Sequence, residues 1–140
     1  MATKKAGCIL LNLENNCIGL VYRDYYNDYS FAKGHLEEGE TIVECAIRET
    51  AEETKRVAEV IDADSPIIEE YTTPKGEDCI CYYYIAIDRG HSDNDSTDVH
   101  ELVWVKFDEV ENILSFNQST WAKAKPTIIN LIENYKNDTK

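Results

Sequence analysis

The chain has 140 residues and a formal net charge of −13, from 27 acidic against 14 basic side chains. That length is one domain with room for a real core, and 43% apolar with 29% charged residues is the make-up of an ordinary globular protein. The acidity excludes general nucleic-acid binding, which needs clustered Lys and Arg against phosphates, and disfavours an anionic membrane surface. A phosphorylated substrate is compatible with it only if a metal mediates the meeting.

In chain order, residues 7–13 (GCILLNL) and 17–23 (CIGLVYR) read as two strands joined by a turn at Glu14-Asn15-Asn16, the pattern of a hairpin. The N-terminal apolar run is broken by Asn12 and Glu14 and lacks a small-residue cleavage site, so it is expected to be a strand and not a signal peptide. No run approaches the roughly 20 apolar residues of a membrane span. Residues 24–29 (DYYNDY) form a polar aromatic loop, and Phe31-Ala32 close a short strand leading into the loop 33–40. Thr41 with Glu44 three residues on has the form of a capping box, so a helix is expected from about 42 to about 55 or 56.

Residues 57–61 are compatible with a strand or with an extension of that helix. Residues 67–72 read as a strand, 73–76 (TPKG) as a turn, and 79–87 (CICYYYIAI) as the strongest strand of the chain. Residues 89–98 are expected to be a polar loop, 102–107 a strand, and 108–114 a short helix with Asp108 as its cap. A last helix should run from Ser119 or Thr120 to about Tyr135, kinked or divided at Pro126. Strands, one acidic helix, more strands and a terminal helix fit an α+β domain over 1–140, a mixed β-sheet sandwiched between helices. The five cysteines, Cys8, Cys17, Cys45, Cys79 and Cys81, are odd in number and lack CxxC spacing. They are expected to be buried reduced thiols rather than a zinc site, which points to a cytoplasmic protein.

The acidic helix carries the chemistry. Glu49 with Glu53, and Glu49 with Glu52, have the spacing of neighbours on one helix face. Val43, Ile47 and Thr54 are expected on the opposite face, against the core. Clustered like charges cost a helix a few tenths of a kcal/mol per pair, a penalty that a hard divalent cation with oxygen ligands removes. Taken alone, such a face is ordinarily just solvated, and the upstream residues change that reading. Gly34 is followed by five residues and Glu40, then by seven more and Arg48-Glu49-Thr50-Ala51-Glu52-Glu53.

These offsets resemble the Nudix box, and the likeness in length and element order extends over the whole chain. Lys55 stands where the family has its closing glycine, and Thr50 and Arg56 stand at apolar positions. With Lys55 the helix either continues or ends on a left-handed lysine, at a cost of about 1 kcal/mol. The resemblance implies the Nudix fold and hydrolysis of a pyrophosphate bond by water with Mg²⁺ or Mn²⁺. It implies Glu49 and Glu53 as metal ligands, with Glu52 beside them and the Lys33 carbonyl as a further ligand. Arg48 is implied to orient the glutamates and Glu40 to hold the loop. The catalytic base is left open between Glu52 and Glu49 in the box and Asp98 or Glu101 before the strand at 102–107.

Residues 31–35 (FAKGH) resemble the segment introducing the box in diadenosine polyphosphate hydrolases, with Ala32 replacing a proline. Residues 115–121 (SFNQSTW) resemble the segment before the last helix of that branch. The substrate implied is therefore a dinucleoside polyphosphate; the alternatives are a nucleoside triphosphate or oxidised nucleotide, or a non-catalytic nucleotide sensor. Lys33, His35, Arg23 and Lys75 are candidates for phosphate contact, and Tyr83 or its neighbours Tyr82 and Tyr84 for base stacking. His91 and His100 are expected on the surface, Trp104 in the core, and Trp121 in the core or a pocket wall. A monomer or homodimer is expected.

Overall fold

Strand β1, Thr3–Asn12, is apolar on both faces, and the computed structural model, which describes residues 2–138, shows why. Ile9 and Leu11 point into one buried cluster and Ala6, Cys8 and Leu10 into a second on the opposite side of the sheet. A strand covered on both faces loses the polar alternation of a half-exposed one. β1 starts earlier than its apolar run because Thr3, Lys4 and Lys5 already pair with a neighbouring strand.

The remaining strands are β2 (Cys17–Arg23), β3 (Asp28–Ser30), β4 (Ala32–His35), β5 (Arg56–Val60), β6 (Ile67–Thr72), β7 (Asp78–His91) and β8 (Glu101–Lys106). β1 and β7 run parallel over Thr3–Leu11 and form the spine of an eight-stranded mixed sheet in which the other pairings are antiparallel. One edge of β1 takes β4 near its start and β2 near its end. The free edge of β7 takes β6 and then β5, while β2 also pairs with β3 and β8. β7 is longer than the 79–87 run, continuing to His91 because Arg56 pairs opposite it. The first three residues of the segment expected as polar loop, 89–91, are therefore ladder.

Helix α1, Ile42–Thr54, packs on β1, β4, β5 and β7, and α3, Gln118–Asp138, packs on the β6–β7 side. Between β8 and α3 lie a 3-10 turn at Phe107–Glu109 and a short α2, Val110–Ile113. Asp108 does not cap α2: it sits inside the 3-10 turn, and no side-chain cap bond is formed at either start. Nor does Pro126 divide α3, which is one helix. The carbonyl that loses its donor there is that of Ala122, and both residues face solvent, where water replaces the bond. Trp121 is 1% exposed and belongs to the core with Phe31 and Phe107, while Trp104 is half-buried against the α1-side cluster. All five cysteines are buried and free, and among the described residues no helix is long and apolar enough to cross a membrane.

Candidate active site

The capping box sets where the acidic helix begins. Thr41 Oγ1 accepts from Glu44 N at 3.2 Å, and Glu44 Oε1 accepts from Thr41 N at 2.9 Å. From that start α1 turns Cys45, Ala46, Thr50 and Thr54 into the protein. The expected inner face of Val43, Ile47 and Thr54 is corrected by this: Thr54 is buried, Val43 half-buried, and Ile47 is 37% exposed. Small inner residues let the helix sit close to the sheet. Thr50, at a position the box resemblance makes apolar, is fully buried because its hydroxyl donates to Ala46 O at 2.8 Å, the local back-bonding open to threonine in a helix. The helix ends at Thr54, with Lys55 left-handed at φ 58° and ψ 33°, and Arg56 begins β5.

The outer face gathers the charges around one cation. Arg48 Nε donates to Glu40 Oε2 at 2.6 Å, Nη1 to Glu49 Oε1 at 2.7 Å and Glu52 Oε2 at 2.8 Å, and Nη2 to the His35 carbonyl at 2.9 Å. A planar guanidinium can serve that many acceptors at once; an ammonium cannot. Hydrogen bonding from Arg48 holds the Glu40 carboxyl below the usual range, against the opposing cost of its partial burial. Glu40 Oε1 also accepts from Glu37 N, which folds the loop 36–40 back on itself.

Glu53 lies outside that network. Its Oε1 accepts from Lys33 N at 3.0 Å, and its other oxygen is 3.9 Å from His100 Nε2. Burial pushes the Glu53 carboxyl up to about 8, and the negative charges of Glu49 and Asp98 add to the shift. Burial likewise raises the Glu49 carboxyl, opposed by its bond to Arg48. One ligand atom from each of Glu53, Asp98 and His100 lies within 4.8 Å of the others. Convergent oxygen and nitrogen ligand atoms around a carboxyl whose ionised form burial disfavours fit a divalent cation, which would stabilise that ionised form.

His100 was expected as a surface residue. Its side chain is only 17% exposed, and its backbone N–H donates to Glu53 O at 2.9 Å. The sequence held a signal for it: Asp98 and His100 are two apart before a strand, and an extended chain turns such residues to one side. Glu101 is the first residue of β8, opposite Tyr22.

The predicted substrate residues do not all come together. Lys33 and His35 lie on β4, beside the carboxylates. Tyr83 is corrected: it is fully buried, packs edge-on against Phe31, and its hydroxyl accepts from Asn117 Nδ2 at 3.1 Å, so it has no free ring face for a base. Tyr84 is buried in the opposite cluster. Arg23 is engaged by both oxygens of Asp28, at 2.8 and 2.6 Å, with its guanidinium over the Tyr26 ring, so its fork is not available for a phosphate.

Residues that sequence reading missed appear in the sheet register. His35, Lys5, Cys81 and Glu69 are aligned across β4, β1, β7 and β6, and directly opposed residues share a face. Lys33 and Tyr71 are two residues from that row on the same face. Lys5 Nζ donates to Tyr71 Oη at 3.1 Å, and Asn117, just before α3, and Thr120 within it bind Glu69. Lys5 and α3, which begins at Gln118, lie at opposite ends of the sequence, so no local pattern announced it.

The NUDIX domain model matches residues 1–128. The chain belongs to the NUDIX domain family. The enzyme class that goes with it is a hydrolase of pyrophosphate bonds. The fold of the NUDIX protein is shared with an Ap4A hydrolase of C. elegans solved as a binary complex, at a TM-score of 0.73 and 21% identity, covering 92% of this chain and 99% of that one. A NUDIX hydrolase from Nitrosomonas europaea aligns at a TM-score of 0.66 and 19% identity over 99% of this chain and 90% of its own. An 8-oxo-(d)GTP phosphatase of Mycolicibacterium smegmatis is 29% identical over 99 residues, 71% of this chain. The match spans only 30% of that relative's length.

Proposed function

We propose that the protein hydrolyses nucleoside polyphosphates, dinucleoside polyphosphates foremost, with Mg²⁺ or Mn²⁺ bound. The observation that carries this reading is the convergence of Glu53, Asp98 and His100 beside the Arg48-held Glu49 and Glu52. Glu49 and Glu53, with Asp98 and His100, would hold the cation, which neutralises the charge that develops on a phosphoryl group in flight. Glu49 and Glu52 both lie outside the trio of Glu53, Asp98 and His100 and both bind Arg48, but the Glu52 side chain is the more exposed, 23% against 12%, and we assign Glu52 to take the proton of the attacking water.

The rest of the site binds. Lys33, His35 and Lys5 line one end of a row that leads from the carboxylates across the sheet, and Tyr71 offers an aromatic ring beside Lys5. Beyond them lies a cavity of about 500 Å³ lined by Tyr26, Thr73, Pro74, Lys75 and Glu77. Glu77 belongs to both places: its carboxyl is lowered by the Thr3 hydroxyl, with Lys5 and His35 contributing further. Tyr71 and this cavity, adjacent at the end of β6 and its turn, leave room for nucleoside groups at the far end of a cationic stretch that starts beside the carboxylates. The likeness to an Ap4A hydrolase fold and the KGH segment support the same choice.

The second reading is a nucleoside triphosphate or oxidised-nucleotide hydrolase, favoured by the Mycolicibacterium relative. A substrate panel with Mg²⁺ or Mn²⁺ separates the two by product. Diadenosine tetraphosphate should be converted to mononucleotides faster than dGTP or 8-oxo-dGTP loses phosphate. The reverse order would move the assignment to the triphosphate, and no turnover of either with either metal would leave a nucleotide sensor.

A further inference from the structure

The chain closes α1 on a lysine in the left-handed region, a conformation that glycine adopts freely and lysine only under strain. Lys55 N closes the helix by donating to Ala51 O at 3.0 Å, and its other contacts run to one segment. Its carbonyl accepts from Ser92 N at 2.9 Å, and its Nζ donates to the carbonyls of Asn94 and Ser96, the second at 2.9 Å. Residues 92–100 are the connection from β7 to β8.

Within that connection Ser92 Oγ accepts from Asn94 N, Asn94 Oδ1 from Ser96 N, and Ser96 Oγ from Asp98 N. These turns fold the segment on itself without tying it to the rest of the protein. Its two ends are tied to α1, by Ser92 N to Lys55 O and by His100 N to Glu53 O. The Lys55 ammonium ties its middle. The segment brings Asp98 against a helix end that carries Glu49 and Glu53, and its negative charge acts on both carboxyls, since like charges at such range repel. A half-buried cation bonded to the segment and rooted in α1 opposes that repulsion.

We infer that Lys55 is a positioning residue: its ammonium clamps the 92–98 segment to the end of α1 and so holds Asp98 and His100 against Glu53 before a cation binds. The inference rests on the metal-dependent reading above. Groups that orient metal ligands are typically worth 10- to 100-fold in metal affinity.

The test uses the full chain, Mn²⁺ alone as probe, and three variants: Lys55→Gly, Lys55→Met and Lys55→Arg. Free Mn²⁺ is followed by EPR, and amide exchange is read across residues 93–99, both without substrate. Lys55→Gly relieves the strained backbone, so its melting temperature should hold or rise. Its Mn²⁺ affinity should nevertheless fall about 10-fold or more, with faster exchange in the segment. Lys55→Met should show the same two losses, and Lys55→Arg, which keeps a cation and its donors, should recover most of the affinity. Wild-type affinity and exchange in Lys55→Gly would overturn the clamp. A wild-type protein that takes up no Mn²⁺ would overturn the metal reading instead, and the exchange measurement would still decide whether Lys55 holds the segment.

Discussion

A side chain on Gly34 would collide with the carboxylate of Glu49: a Cβ there would stand 1.8 Å from Oε2 and 2.0 Å from Cδ. The edge strand β4 therefore passes close against the acidic face of α1 at the first residue of the box. The glycine is required for space, since its backbone is not in the left-handed region. Gly34→Ala should push Glu49 out of register with Glu53. A displacement of an ångström at a reacting centre costs about 100-fold in rate, so kcat/KM should drop by that order while the fold survives. A near-normal kcat/KM would show that Glu49 has another acceptable position.

Glu52 and Glu53 are expected to fail differently. Glu53→Gln removes a donor of the convergent set, so the Mn²⁺ dissociation constant should rise at least about 10-fold. Glu52→Gln should leave that constant near wild type and lower kcat by about 100-fold or more, the worth of a proton acceptor. Metal titration and steady-state kinetics on the same two variants check the assignment, and equal loss of metal affinity in both would cancel it.

The Glu53 carboxyl has a pH signature in metal-free protein. Its ordinary value is 4.5 and burial pushes it up to about 8 in the folded state. The folded protein thus holds that proton more tightly than the unfolded chain. The stabilisation is fully present below 4.5 and is lost as the pH rises through 8. In EDTA, the melting temperature of wild type relative to Glu53→Gln should fall between pH 5 and pH 8. Excess Mg²⁺ or Mn²⁺ should flatten the difference and, at pH 7, release protons on binding. A difference that stays constant with pH would show that Glu53 ionises normally.

Arg48 supports three carboxylates and a carbonyl, so its loss frees several partly buried charges at once. Arg48→Ala should destabilise the protein by about 2 kcal/mol, the range for bonds to charged groups, seen as a lower denaturation midpoint. Arg48→Lys restores the charge without the fork and should recover only part of it.

Tyr83 and Tyr71 separate packing from binding. Tyr83→Phe deletes a hydroxyl bonded to Asn117, whose amide keeps Glu69, and should cost about 1 kcal/mol with KM unchanged. Tyr71→Phe and Lys5→Ala should leave stability close to wild type and raise KM. Unchanged KM in both would place the substrate elsewhere.

The local elements were legible in the sequence because their causes are local. The Thr41–Glu44 capping box, the 3.6-residue spacing of the carboxylates and the offsets from Gly34 to Glu53 lie within twenty residues of one another, and they named the family and the acidic face. What depended on pairing between distant strands was not legible. Tyr83 looked like a base platform because a tyrosine in a strand faces solvent or core according to register, and only the pairing of β7 with β1 and β6 sends it inward. Lys5, Tyr71 and Glu69 enter the site through the same register, and His100 through a connection folded back on α1. By itself the sequence determined the helix, its charges and the kind of chemistry they serve, because i to i+4 geometry follows from the backbone alone. The tertiary structure decided which residues meet those charges: Asp98 and His100 from one side, Lys33 from another, and the left-handed Lys55 bonded to the 92–98 segment that precedes His100.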